Sequence, residues 1–133
     1  MKITICGSMA FAREMVNIQK ELENLGHTVA APANLEKHAS GTMTMENKTE
    51  KIELDLIRGY FEEIKNTDAI LVLNYDKNNI KNYIGGNSLI EMAFAHVLNK
   101  KIFILNPIPQ ISYSDEIEAM QPIILNGNIA KII

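Results

Sequence analysis

At 133 residues with a formal net charge of −3, the chain has the length of one compact domain, 1–133, and leaves no room for a second. Its 47% hydrophobic and 22% charged residues exclude disorder for most of the chain, no apolar run nears the roughly 18–20 residues that span a bilayer, and the N-terminus lacks a signal-peptide pattern. With 13 basic and 16 acidic residues in no cluster and a single cysteine, the expectation is a cytoplasmic protein with no nucleic-acid or membrane partner, no disulfide, no metal and no cofactor.

Short isoleucine-rich runs dominate, the pattern of strands covered on both faces of a parallel sheet. KITIC at 2–6 is the first, closed by Gly7-Ser8. Met15, Ile18, Leu22 and Leu25 then fall on one helical face, with Gly26 as the stop. A short strand at 28–31 ends at Pro32 and opens a right-handed crossover. From 33 to about 51 the chain is polar and aperiodic and reads as a long loop, with Met43 and Met45 as apolar anchors. Leu56, Tyr60, Phe61 and Ile64 predict a second amphipathic helix, and Asp68 precedes the strand AILVL at 69–73. A polar loop at 75–83 leads through Ile84-Gly85-Gly86 into a third helix at about 88–98. KIFIL at 101–105, a short helix at 115–120 and an apolar run at 123–125 complete the domain. Strands alternating with helices imply an α/β sandwich with a mostly parallel sheet of four to five strands.

Open α/β sheets bind ligands beyond the carboxyl ends of their strands. That rule selects Gly7-Ser8, Asn74, the stretch 84–88 and Asn106-Pro107. Two of these are small-residue turns opening a helix, where free N–H groups and the helix dipole favour an anion such as a sugar phosphate or carboxylate. Ser88-Leu89-Ile90-Glu91 has the Ser-x-x-Glu spacing of a capping box, which accounts for both polar residues without any ligand. The preceding Gly85-Gly86 favours the other reading, because glycine lets a ligand approach the backbone.

Three features then combine: Gly7-Ser8 after the first strand, the Asp of NTDAILVLN at 66–74, and a glycine loop followed by Glu91-Met92-Ala93-Phe94-Ala95. Together they resemble the nucleoside 2-deoxyribosyltransferase family, which includes the nucleoside 5′-monophosphate N-glycosidases, from Ile3 to about Met120. The resemblance implies a flavodoxin-like three-layer sandwich, usually a homodimer or higher homo-oligomer, that transfers or hydrolyses the (deoxy)ribosyl group of a nucleoside or nucleotide. Glu91 matches the nucleophile. Gly7, Ser8 and Arg13 match the loop that holds the sugar or its 5′-phosphate, and Gly86, Asn87 and Ser88 the turn under the sugar; Gly85, a further substrate-binding candidate, stands where some members carry an Asp. Asn74, with Tyr75 and Asp76, is placed to shape the pocket. The family pairs its Glu with an Asp on the preceding helix; alignment on Asp68 puts Tyr60 there, with Asp55 more than a turn upstream, so either is the candidate group assisting the departing base. A serine that phosphate-specific members bring from the neighbouring subunit corresponds to Glu118.

The chemistry is sound, since a carboxylate traps an oxocarbenium-like centre as a glycosyl ester that water or a second base resolves. Two alternatives stand beside it. GGNSLIE at 85–91 echoes, one residue short, the Gly-Gly-x-Gly-Thr-x-x-Glu of the lysine decarboxylase-like phosphoribohydrolases. A non-catalytic nucleotide- or sugar-phosphate-binding module would use Glu91 only to cap its helix and bind ribose hydroxyls.

Overall fold

A computed structural model describes residues 1–32, 35–41 and 55–133, with the backbone alone at 36–38. Five strands, β1 (Lys2–Cys6), β2 (Thr28–Ala30), β3 (Ala69–Val72), β4 (Lys101–Ile104) and β5 (Ile123–Ile124), form one sheet in the order β2-β1-β3-β4-β5. Every pairing is parallel. This is the flavodoxin-like order, whose switch point lies between β1 and β3, where Cys6 pairs with Val72.

Helices cover both faces. Helix α1 (Ala12–Asn24) and α2 (Leu35–Ser40) lie on one side, with Met15, Leu22 and Leu35 packed on Ile3, Ile5, Leu71 and Phe103. On the other side α3 (Leu56–Lys65), α4 (Gly86–Val97) and α5 (Ser114–Ala119) pack Ile64, Met92, Ala95 and Ile117 on Cys6, Ile70, Val72, Ile102 and Ile104. Successive β3 residues therefore enter opposite cores, which is why AILV is apolar throughout instead of alternating. Each fully buried isoleucine or leucine contributes about 1.5–3 kcal/mol relative to exposure.

The structure revises the sequence reading in several places. Leu25 is 51% exposed, because α1 ends at Asn24 and Leu25 becomes its C-cap. The stretch read as a loop from 33 contains α2, a helix of six residues whose period was too short to register. Met43 and Met45 lie outside the described residues. Asp68, placed just before its strand, also bonds across the sheet. Its carboxylate accepts the backbone N–H of Lys2 at 2.7 Å and its own N–H reaches the Lys2 carbonyl, tying the start of β3 to β1. Among the described residues no helix is long and apolar enough to cross a membrane.

Candidate functional site

The site begins where β1 stops. Gly7 has φ +155°, and a Cβ there would lie 2.9 Å from Met15 Cε and 3.2 Å from the Leu73 carbonyl oxygen. Only glycine makes this exit without displacing the end of β3. Ser8 follows as the cap of a 3₁₀ turn at Met9–Phe11, its Oγ accepting the Ala10 N–H at 3.2 Å.

Helix α4 supplies the second wall, and here the capping-box reading fails. The N-cap is Gly85 in extended backbone, with no side-chain cap, so the helix begins at Gly86, two residues earlier than predicted. Ser88 is thus inside the first turn and buried, and Glu91 lies in the second turn, too deep to reach an N-cap N–H. Gly85 sits against the Tyr83 ring, where a Cβ would approach Tyr83 Oη to 3.0 Å. Glu91 is only 7% exposed. It meets the carboxyl end of β1, where the fully buried Cys6 thiol hydrogen-bonds its carboxylate. Burial first, then the charge of Glu91 and that hydrogen bond, push the Cys6 thiol well above its usual range, so the sulfur keeps its proton and donates it to Glu91.

These parts line one cleft of about 930 Å³, bounded by the β1 exit, the edge strand β2, and α3 and α4. Of the residues singled out from sequence, Gly7, Ser8, Tyr60, Gly85, Gly86, Asn87, Ser88 and Glu91 line it together. Tyr60 is held in place by donating its hydroxyl to the Ile5 carbonyl. Three others stand elsewhere. Arg13 is exposed and its Nε donates to the Ala39 carbonyl at 3.3 Å, which draws it toward α2 and away from the Ser8 turn. Asp55 precedes α3, pairs with exposed Arg58 at 2.9 Å and does not line the cleft. Asn74 is fully buried, and its side chain is spent joining the ends of β3 and β4. Its neighbours Tyr75 and Asp76 are also absent from the cleft wall, Asp76 accepting the Asn82 N–H instead.

Sequence reasoning missed Lys77, Tyr83, Glu63 and Phe94, all of which line the cleft. Lys77 comes from a tight hairpin. Asn78 and Asn79 both have positive φ, 54° and 61°, while Lys77 and Ile80 exchange backbone hydrogen bonds of 3.0 and 2.9 Å. That is the two-residue geometry in which consecutive asparagines are favoured, so Lys77-Asn78-Asn79-Ile80 carried a legible turn signal. The hairpin delivers Lys77 Nζ to 2.8 Å from Ser8 Oγ and 5.4 Å from the Tyr83 ring centroid. No group of three His, Cys, Asp or Glu side chains suited to a metal ion occurs among the described residues.

A parallel β2-β1-β3-β4-β5 sheet thus carries a buried glutamate on a helix beside its switch point. The fold is similar to that of the Clostridium botulinum CMP N-glycosidase BcmB. The TM-score is 0.55 at 14% sequence identity, over 95% of this chain and 90% of that one. The likeness is one of fold. No protein-family model and no curated protein matches the sequence.

Proposed function

We propose that the chain cleaves the N-glycosidic bond of a nucleoside or nucleotide, with Glu91 as nucleophile. One observation carries this reading. Glu91 is a buried carboxylate in the second turn of α4, with no capping role, beside a cleft large enough for a nucleotide at the carboxyl end of β1. A stabilising role alone does not account for a carboxylate at that depth, since burying a charge costs several kcal/mol unless something favours it. The Clostridium botulinum protein of similar fold acts on CMP as an N-glycosidase, which supports the same bond as the target here.

In this reading a Glu91 oxygen attacks the anomeric carbon as the C1′–N bond breaks. The bonding pair leaves with the base, which takes up a proton from water, and a second water hydrolyses the glycosyl ester to free the sugar and restore Glu91. The Cys6 thiol, hydrogen-bonded to the carboxylate from below, orients it without competing as a nucleophile, because its proton is held. Gly85–Ser88 form the small-residue turn under the sugar, and a Cβ placed on Gly86 would meet nothing within 4 Å, so the space above it is open to a ligand.

A second reading is favoured by one specific fact. Asp55, the aspartate nearest in sequence to the expected partner position of Glu91, is turned out to Arg58, and the α3 carboxylate on the cleft wall is Glu63 instead. A binding module without turnover needs no such acid. Incubation with a panel of nucleosides and nucleoside monophosphates, followed by chromatography for free base, separates the two. Wild-type protein is expected to release base, and Glu91→Gln and Glu91→Ala to lose at least about 100-fold of that activity. Base release surviving both substitutions would sink the nucleophile assignment. A ligand-induced rise in melting temperature with no base released would establish the module.

A further inference from the structure

The Cys6 thiol, on the last residue of β1, lies beneath the site and is fully buried in one core cluster with Ile70, Val72, Ile84 and Met92. Its backbone is fixed on both sides. The Cys6 carbonyl accepts the Leu73 N–H at 2.9 Å, and the Ile5 carbonyl accepts the Tyr60 hydroxyl. A sulfur closed off in this way acts on a bound substrate only through Glu91, whose carboxylate accepts the S–H hydrogen bond. Burial and that carboxylate hold the thiol proton, so the donor is present throughout a catalytic cycle.

The strength of the hydrogen bond follows the state of Glu91. A free carboxylate carries a full charge and draws a charge-assisted bond. A glycosyl ester is neutral and a weaker acceptor. The bond therefore slackens when C1′ is captured and tightens when C1′ is released. An interaction speeds a step only if it is stronger in the transition state than in the state before it. By that rule the thiol favours hydrolysis of the ester over the attack that forms it. In the hydrolysis a water oxygen bonds to C1′ and the C1′–O bond to Glu91 breaks. Its electron pair passes to the carboxylate and the water gives a proton to solvent. Negative charge thus returns to the group that the S–H donates to.

We propose that Cys6 is a positioning residue for the second half of the reaction, stabilising Glu91 as the leaving carboxylate so that the glycosyl-enzyme does not accumulate. The inference rests on the N-glycosidase reading with Glu91 as nucleophile, and adds to it the step that the buried thiol serves.

The test follows the two steps separately in wild type, Cys6→Ala, Cys6→Val and Cys6→Ser, with the nucleoside or nucleoside monophosphate that wild type cleaves fastest. Rapid quench with chromatography reads the first release of base, steady-state rates read turnover, and intact-protein mass spectrometry reads the sugar adduct. Wild type is expected to show neither a burst of base nor an accumulated adduct. Cys6→Ala is expected to show both, with turnover about 10-fold slower than wild type. Cys6→Val removes the donor without leaving a hole and carries the same expectation, so a packing defect in one variant does not decide the outcome. Cys6→Ser keeps a donor and is expected to stay within about 3-fold of wild type, with no adduct.

A thiol that only orients Glu91 or fills the core would slow the attack instead and leave no adduct. That result overturns the proposal, as does turnover unchanged in both Cys6→Ala and Cys6→Val. Either result, with base release still lost in Glu91→Ala, leaves the glycosidase reading standing. No base released by wild type, or release retained in Glu91→Ala, removes that reading and this one with it.

Discussion

Asn74 offers the sharpest test of how the site is separated from its scaffold. Its Nδ2 donates to the carbonyls of Asn106 at 2.8 Å and Pro107 at 3.1 Å, while its Oδ1 accepts the Asn106 N–H at 2.8 Å. Asn106 returns a fourth bond, Nδ2 to the Asn74 carbonyl at 3.0 Å. Together these continue the β3–β4 pairing past the last strand residues. Asn74→Ala deletes three of the four bonds and strands their partners. At about 1 kcal/mol per bond, with Pro107 exposed enough for water to replace its share, the loss is about 2–4 kcal/mol. For a chain of this length that is roughly 10 °C in melting temperature. Asn74→Asp keeps the volume and one acceptor but turns the donor into an oxygen facing two carbonyls, so it should cost at least as much at neutral pH. Urea unfolding, read by circular dichroism with unchanged slope, measures both. A midpoint for Asn74→Ala within about 1 kcal/mol of wild type would refute the staple. Wild-type stability with lost base release would place Asn74 in the site after all.

The two helix-opening turns make opposite predictions. Gly7→Ala should destabilise by about 1–3 kcal/mol, since the new Cβ meets Met15 and the Leu73 carbonyl at a positive φ. Gly86→Ala meets nothing within 4 Å and gains helix propensity, so stability should hold or rise by up to about 1 kcal/mol while KM increases as the methyl crowds the sugar. An unchanged KM would remove this turn from the binding surface. Cys6 sets an alkaline limit. Its folded pKa is raised, so above about pH 9 the unfolded chain releases a proton that the folded chain retains. Stability from this group is therefore full below that pH and lost as pH rises, with a slope approaching about 1.4 kcal/mol per pH unit. Denaturation series from about pH 7.5 to 10.5 should show the slope in wild type and a shallower one in Cys6→Ala; parallel curves would contradict it.

Much of the architecture was legible in the chain because its signals are local. Apolar runs such as KITIC and AILVL need both faces covered, whatever lies far away in sequence, and their alternation with amphipathic helices leaves few arrangements besides a parallel sheet. The rule that ligands sit beyond the strand ends then led directly to Gly7-Ser8 and the 85–91 turn. Residue spacing could not decide whether Glu91 caps its helix, because Ser-x-x-Glu looks the same at an N-terminus and one turn inside. Only the extended backbone of Gly85, beside Tyr83, shows where the helix starts and leaves Glu91 buried against Cys6.

The same limit explains the misplaced cations and amides. Arg13 and Asn74 each lie close to a strand end in sequence, yet side-chain direction depends on what the neighbouring elements offer: a carbonyl on α2 for one, the end of β4 for the other. Lys77 is the converse case, inconspicuous in its loop and brought to Ser8 from 69 positions away by a hairpin and two parallel strands. The amino-acid sequence by itself determined an α/β arrangement with a mostly parallel sheet and the end of that sheet where chemistry can occur, since periodicity and turn residues act within a few positions. Which carboxylate, hydroxyl and ammonium meet there was decided by tertiary structure, because hydrogen bonds and charges act over a few ångströms of space and take no account of separation along the chain.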